Sequence, residues 1–168
     1  MLSTTHRLAD GSAVRIRLTR PSDVPRVRAF LDHLSTKTRT RRFGADGEPP
    51  DAVRKMIFYD PRRRLVAAAT MPVGRNEQIV GLADVELDDG GIAEIGLVVD
   101  DDAQGRGVGT LLSEAVASLA VHRGAKALKA PRVDGNGPMV SLLERLGPTA
   151  RTTEDGDQVA YTRLRDAA

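Results

Sequence analysis

The chain has 168 residues, 25 basic and 23 acidic, for a net charge of +2. That length is enough for one domain with a substantial core, and that balance gives no reason to expect nucleic acid or an anionic membrane as partner. There is no cysteine, which excludes disulfides, thiolate metal sites and a cysteine nucleophile, and the few aromatic residues argue against a base-stacking surface for single strands. The opening MLSTTHRLADG lacks an apolar signal core, and no apolar run approaches ~18 residues, so a cytoplasmic protein is expected.

In chain order, Ala13 to Leu18 alternates apolar and basic residues and reads as a half-buried strand. Ser22 or Asp23 caps a helix whose Val24, Val27, Leu31 and Leu34 recur at helical spacing. Thr36 to Phe43 is a basic segment before a Gly- and Pro-rich break, and Asp51 to Tyr59 reads as a second helix ended by Pro61. Leu65 to Met71 and Ile79 to Leu87 read as strands joined by a turn at Gly74-Arg75-Asn76. Asp88-Asp89-Gly90-Gly91 is a hairpin signal leading into a strand over Ile92 to Val99. A loop rich in Asp and Gly then opens a long helix, with Val108, Leu112, Val116 and Ala120 on one apolar face and Gly124 at its C-cap. A short strand over Ala125 to Pro131, a helix from Asn136-Gly137-Pro138, and strands over Thr149 to Thr153 and Gln158 to Leu164 complete the chain. The order predicts an α+β layered fold: a mostly antiparallel sheet of about seven strands with helices on both faces.

The most informative stretch is the mouth of the long helix. Gly105, Gly107 and Gly109 alternate there with Arg106 and Val108. Such glycines let the chain turn sharply and let a group approach its N–H donors, and a helix N-terminus adds unpaired donors and partial positive charge. The combination suits a pyrophosphate, although a plain Gly-rich connection gives the same pattern. A P-loop would need Lys-Ser/Thr after the last glycine, where Thr110 and Leu111 stand. A dinucleotide fingerprint would need GxGxxG on the first strand of a βαβ unit; Thr110 holds its last place, and Asp134 is the one acid at a fitting distance.

The residues do match the pattern Gln/Arg-x-x-Gly-x-Gly/Ala, through Gln104, Gly107 and Gly109, and this resembles the acetyl-CoA-binding loop of the GCN5-related N-acetyltransferases (GNAT). Element order extends the resemblance over nearly the whole chain. Leu8-Ala9-Asp10-Gly11, Arg20-Pro21-Ser22-Asp23, Ala93-Glu94-Ile95, Asn136-x-Pro138-Met139 and Leu146-Gly147 look like the catalytic domain of bacterial Pat-type protein lysine acetyltransferases. Some of these carry a cyclic-nucleotide-binding domain ahead of the catalytic one. The present sequence leaves no room for it, so that control is not expected.

The resemblance implies acetyl-CoA as cosubstrate, a protein lysine as acceptor, and no metal. It implies that Gln104, Gly105, Arg106, Gly107, Val108, Gly109 and Thr110 seat the pyrophosphate through backbone N–H groups, and that Leu97, Val98 and Val99 run alongside the pantetheine arm. Gly96 fits a bulge or a close backbone approach, and an N–H near Val98 would polarise the thioester oxygen. Glu94 is a lone acid in an apolar strand; partial desolvation there would raise its pKa and suit it as general base, the role the matching glutamate has in Pat-type enzymes. The alternative for Glu94 is a strand residue paired with an arginine, with Glu86 and Asp84 as other bases. Asn136 resembles an asparagine near CoA and also suits an N-cap. The family's tyrosine acid on that helix is replaced by Leu143, and Tyr59 and Tyr161 are no evident substitutes.

His6, His33 and His122 show no metal-ligand spacing and read as surface residues. Arg39, Arg41 and Arg42, and likewise Arg62, Arg63 and Arg64, read as solvated faces; a second reading puts one cluster on the 3′-phosphate of CoA or on an acidic partner. Asp100, Asp101 and Asp102 read as a solvated loop; a second reading has them attract a cationic lysine substrate. Two readings compete with a lysine acetyltransferase: a catalytically silent acyl-CoA-binding domain, and an acetyltransferase of small-molecule amines.

Overall fold

The computed structural model describes residues 3–165. Its strands are β1 (Ser3–Arg7), β2 (Ala13–Leu18), β3 (Arg64–Val73), β4 (Asn76–Leu87), β5 (Ile92–Val99), β6 (Ala127–Ala130), β7 (Thr149–Glu154) and β8 (Asp157–Arg163). They form one sheet in the order β1-β2-β3-β4-β5-β6-β8-β7, antiparallel except where β5 meets β6. The helices are α1 (Val24–His33), α2 (Thr36–Phe43), α3 (Ala52–Ile57), α4 (Val108–His122) and α5 (Gly137–Leu146).

The sheet separates two cores. One face carries α4 and α5, with Val108, Leu112, Val116, Ala120 and Leu143 packed on Val85, Ile95 and Val99. The other carries α1 and α3, with Val27, Leu31, Met56 and Ile57 packed on Val66, Leu82 and Val98. The fourfold spacing seen in α4 is therefore the stripe that the sheet buries, worth about 1.5–3 kcal/mol for each fully buried Val or Leu.

Two elements differ from expectation. The sheet has eight strands where about seven were expected, because β1, STTHR, pairs with β2 along an exposed edge and has no apolar alternation to announce it. The basic segment Thr36–Phe43 is helical. Thr38 is its one buried residue, so no apolar period marks it; Ser35 caps it by accepting the Thr38 N–H at 3.2 Å.

The junction between β5 and β6 positions the site. They pair only from Ile92↔Ala127 to Glu94↔Lys129. Pro131 then follows β6 and has no N–H for the ladder, and Arg132 turns the chain with φ of 52°. β5 runs on to Val99 with β4 on one side and no strand on the other.

Candidate active site

The free edge of β5 can be read from its register. Asp88 N–H bonds Ile92 O and Asp100 N–H bonds Val80 O, each at 2.9 Å, and pairing between these points is in register. Alternation in an antiparallel ladder then turns the peptide groups of Glu94, Gly96 and Val98 toward β4, and those of Ile95, Leu97 and Val99 toward the gap. The Val99 carbonyl is taken by the Gln104 side-chain amide at 3.1 Å. Val98 N–H, expected near the thioester, thus faces β4; Leu97 and Val99 carry the outward N–H groups.

Below the gap lies the mouth of α4. Gly105 and Gly107 have φ of 72° and 93°, and a Cβ built on either meets nothing within 4 Å, so the loop is open to a ligand. Gly107 is the N-cap, and no acid stands in the first turn. The first intrahelical bond is Leu111 N–H to Gly107 O at 3.2 Å, leaving the N–H groups of Val108, Gly109 and Thr110 without helical acceptors. These donors at the positive end of a 15-residue helix fit a diphosphate. A cleft of about 480 Å³ joins loop and edge, lined by Leu97, Val98, Val99, Gln104 and the three glycines on one side and by Asn136, Pro138 and Leu142 on the other. Arg106 and Val108 do not line it: Arg106 bonds Asp10 at 2.7 Å and Ser12 at 2.8 Å, and Val108 is core, so only their backbones remain for the expected role. Asn136 lines the cleft and also caps α5, its Oδ1 accepting the Met139 N–H at 3.3 Å.

A second cavity, of about 280 Å³, adjoins the first and shares Arg41, Arg42, Leu97, Asn136 and Met139 with it. Glu94 lies in its wall. The side chain is exposed, so the expected desolvation is absent, and among the described residues no arginine pairs with it. The other acids are committed. Asp84 is bonded by Arg42 at 2.6 Å and approached by Arg64 at 3.4 Å, and Glu86 pairs with Arg64. Of the three carboxylates in the wall, Glu94 alone is unpaired among the described residues.

Several side chains expected at the surface instead hold this site. Arg42 lies over the Phe43 ring, 5.3 Å from its centroid, and against Gly96, where a Cβ would come within 2.5 Å of its Nη2. Arg39 is anchored on Glu48 at 3.0 Å. Asp100 is buried and bonds His33 Nδ1 at 2.7 Å. That bond raises the His33 pKa. The ligand atoms of His33, Asp100 and Asp102 lie within 4.8 Å of one another, and the His33–Asp100 bond already engages the imidazole. Asp101 accepts the Ser35 N–H, the Ser35 hydroxyl and the Thr38 hydroxyl at 2.7–2.9 Å. Burial alone would raise its carboxyl, but these bonds outweigh burial and hold it at about 2. Leu143 is fully buried, and neither Tyr59 nor Tyr161 lines either cleft; Tyr161 donates to Glu154 at 2.5 Å. The sequence reading missed Thr38, Arg132 and Leu142 as lining residues, and a composition of basic and apolar residues gave no signal for them.

Residues 29–147 match the profile of the acetyltransferase (GNAT) family. The chain belongs to that family. As a GNAT acetyltransferase it superposes on the GNAT domain of S. lividans PAT with a TM-score of 0.83 at 25% identity, covering 97% of both chains. It is also similar to a cAMP-binding acyltransferase from Mycobacterium smegmatis, with TM-score 0.65 and 22% identity over 97% of this chain and 47% of that one, so it spans about half of that protein's length. A GNAT-family acetyltransferase from Streptococcus pneumoniae shares the fold, with TM-score 0.67 and 17% identity over 90% of this chain and 99% of that one. Among the described residues no helix is long and apolar enough to cross a membrane.

Proposed function

We propose that this GNAT acetyltransferase moves an acetyl group from acetyl-CoA to the side-chain amine of a protein lysine, with Glu94 as general base. The observation that carries the reading is the meeting of two clefts at the unpaired edge of β5, one over the open glycine loop and one over an unpaired carboxylate. The lysine acceptor is supported by the likeness to Pat-type enzymes and to the GNAT domain of S. lividans PAT.

Acetyl-CoA supplies an activated acyl carbon as its thioester. The N–H groups of Val108, Gly109 and Thr110 bind its diphosphate, and the outward peptide groups of Leu97 and Val99 hold the pantetheine arm as a neighbouring strand would. Gln104 fixes the Val99 carbonyl and so the start of the loop. An outward N–H of Leu97 or Val99 polarises the carbonyl oxygen as negative charge develops. Glu94 takes a proton from the acceptor ammonium, directly or through water, and the neutral nitrogen attacks the acyl carbon. The attacking nitrogen gives up its second proton to solvent as the C–S bond breaks and the amide forms, and solvent protonates the thiolate, since no tyrosine lines the clefts among the described residues.

Glu94→Gln keeps the shape and removes the base. It is expected to lower kcat on a lysine peptide by on the order of 10²-fold and leave acetyl-CoA affinity within about threefold. Turnover equal to that of the unaltered protein would remove Glu94 from the mechanism.

A further inference from the structure

The acceptor cavity is lined by five basic side chains and three acidic ones, an odd setting for a substrate that arrives as a cation. Most of these charges are accounted for. Arg42 and Arg64 are held by Asp84 and Glu86. Lys55 pairs with Asp51 at 3.2 Å. Arg41 and Arg132 remain: both line the cavity, both are exposed, and neither makes a side-chain hydrogen bond or ion pair among the described residues.

Their placement is specific. Arg41 stands in the last turn of α2. Arg132 comes from the opposite wall, in the turn after β6, with φ of 52°, a conformation costly for a side chain of its kind. It reaches back to the end of α2, where a Cβ on Gly44 would lie 3.6 Å from its Cδ and Nε. Two free guanidiniums thus come to one cavity from two separate places, a helix end and a turn. A guanidinium with five planar donors is matched by a carboxylate, which it binds through two parallel hydrogen bonds.

We propose that Arg41 and Arg132 form a carboxylate-recognising pair in the acceptor cavity, so that the preferred acceptor is an amine with an acidic group beside it: in a protein, a lysine flanked by Asp or Glu. This rests on the reading of the cavity as the acceptor site. The same charges serve the chemistry, since an excess of positive charge disfavours an ammonium and favours the neutral amine that attacks.

The test compares two peptides with one lysine each, flanked by Asp and Glu or by Asn and Gln, alongside free glutamate as a small acidic amine. The unaltered protein is expected to favour the acidic peptide by roughly tenfold or more in kcat/KM, with the preference shrinking as salt is raised. Arg41→Gln and Arg132→Gly are each expected to lower kcat/KM on the acidic peptide about tenfold more than on the neutral one. Glycine suits the backbone at position 132, so the second variant is expected to melt no lower than the parent and keeps the test free of misfolding. Equal use of both peptides overturns the inference alone, as does an equal loss on both in the variants or a loss of acetyl-CoA affinity with the preference intact. Turnover of free glutamate without either peptide supports carboxylate recognition and overturns the lysine acceptor. No turnover of any acceptor by protein that binds acetyl-CoA overturns both.

Discussion

Gly96 shows how a single position decides the site. A Cβ there would lie 2.5 Å from Arg42 Nη2 and 2.7 Å from Asp84 Oδ1, so any side chain must part the ion pair in the wall of the cavity that Glu94 lines. Gly96→Ala is expected to lower stability by about 1–3 kcal/mol in urea unfolding and to raise the acceptor KM; a variant as stable as the parent would show that Arg42 yields freely. The close approach was legible in the sequence, because a glycine inside an apolar strand needs a reason. Its partner was not. Arg42 is one of several arginines in TRTRRF, and nothing local distinguishes the one that folds back over the sheet from those that face water. Glu94 was legible for the opposite reason: it is the one acid in its strand. That it stays unpaired was not, because this depends on Arg64 of β3 being drawn to Glu86 and Asp84 on β4, the strand between it and Glu94.

At the scale of elements, the elbow between α1 and α2 grips the loop that leads into α4. His33 holds Asp100, Ser35 and Thr38 hold Asp101, and Gln104 reaches Thr38 Oγ1 at 3.2 Å. The start of α2 is thereby tied to the loop before α4. Asp101→Ala removes three hydrogen bonds and is expected to weaken acetyl-CoA binding by roughly tenfold, about 1.4 kcal/mol, in a calorimetric titration. The acid dependence has a definite sign. The Asp101 carboxyl lies at about 2 in the folded protein and at about 3.9 in an unfolded chain. Its contribution is therefore present above pH ~4 and lost as pH falls toward 2. Unfolding measured from pH 5 to 2 is expected to show a shallower loss in Asp101→Asn than in the parent. Equal slopes would release Asp101 from this role. The sequence displayed the acidic run but not its use, since three aspartates before a glycine loop read as solvated until α2 is seen to lie across them.

In the whole molecule, the most buried charge among the described residues lines neither cleft. Asp23 is fully buried, accepts from Arg17 at 2.7 and 2.8 Å, and accepts the Arg20 N–H at 3.0 Å. Burial pushes its carboxyl up, and Arg17 together with Arg20 more than reverses this, so the carboxyl lies below its usual range. Arg17 also meets Glu77 at 2.5 Å, which joins β2, the start of α1 and the start of β4. Arg17→Met removes the two-bond partner of Asp23 and leaves only the longer approaches of Arg26 at 3.6 Å and Arg20 at 4.0 Å; it is expected to cost about 3 kcal/mol, read as a lowered midpoint in denaturant, while Arg17→Met with Asp23→Leu is expected to cost less than the single change. A single variant within about 1 kcal/mol of the parent would show that Arg26, Arg20 or water replaces Arg17 at Asp23.

What the sequence determined by itself was the order of elements apart from β1 and α2, the apolar face of α4 and the glycine run at its mouth. Each is fixed by contacts within a few residues, such as the fourfold spacing of Val108, Leu112, Val116 and Ala120 and the run Gly105-x-Gly107-x-Gly109. What only the tertiary structure decided was the parting of β5 from β6, the direction of the peptide groups it frees, and the pairing that spends Asp84 and Glu86 while leaving Glu94, Arg41 and Arg132 open. Those features are set between residues tens of positions apart. A charged side chain has no periodicity of its own, and its partner is chosen by which strands the sheet brings side by side.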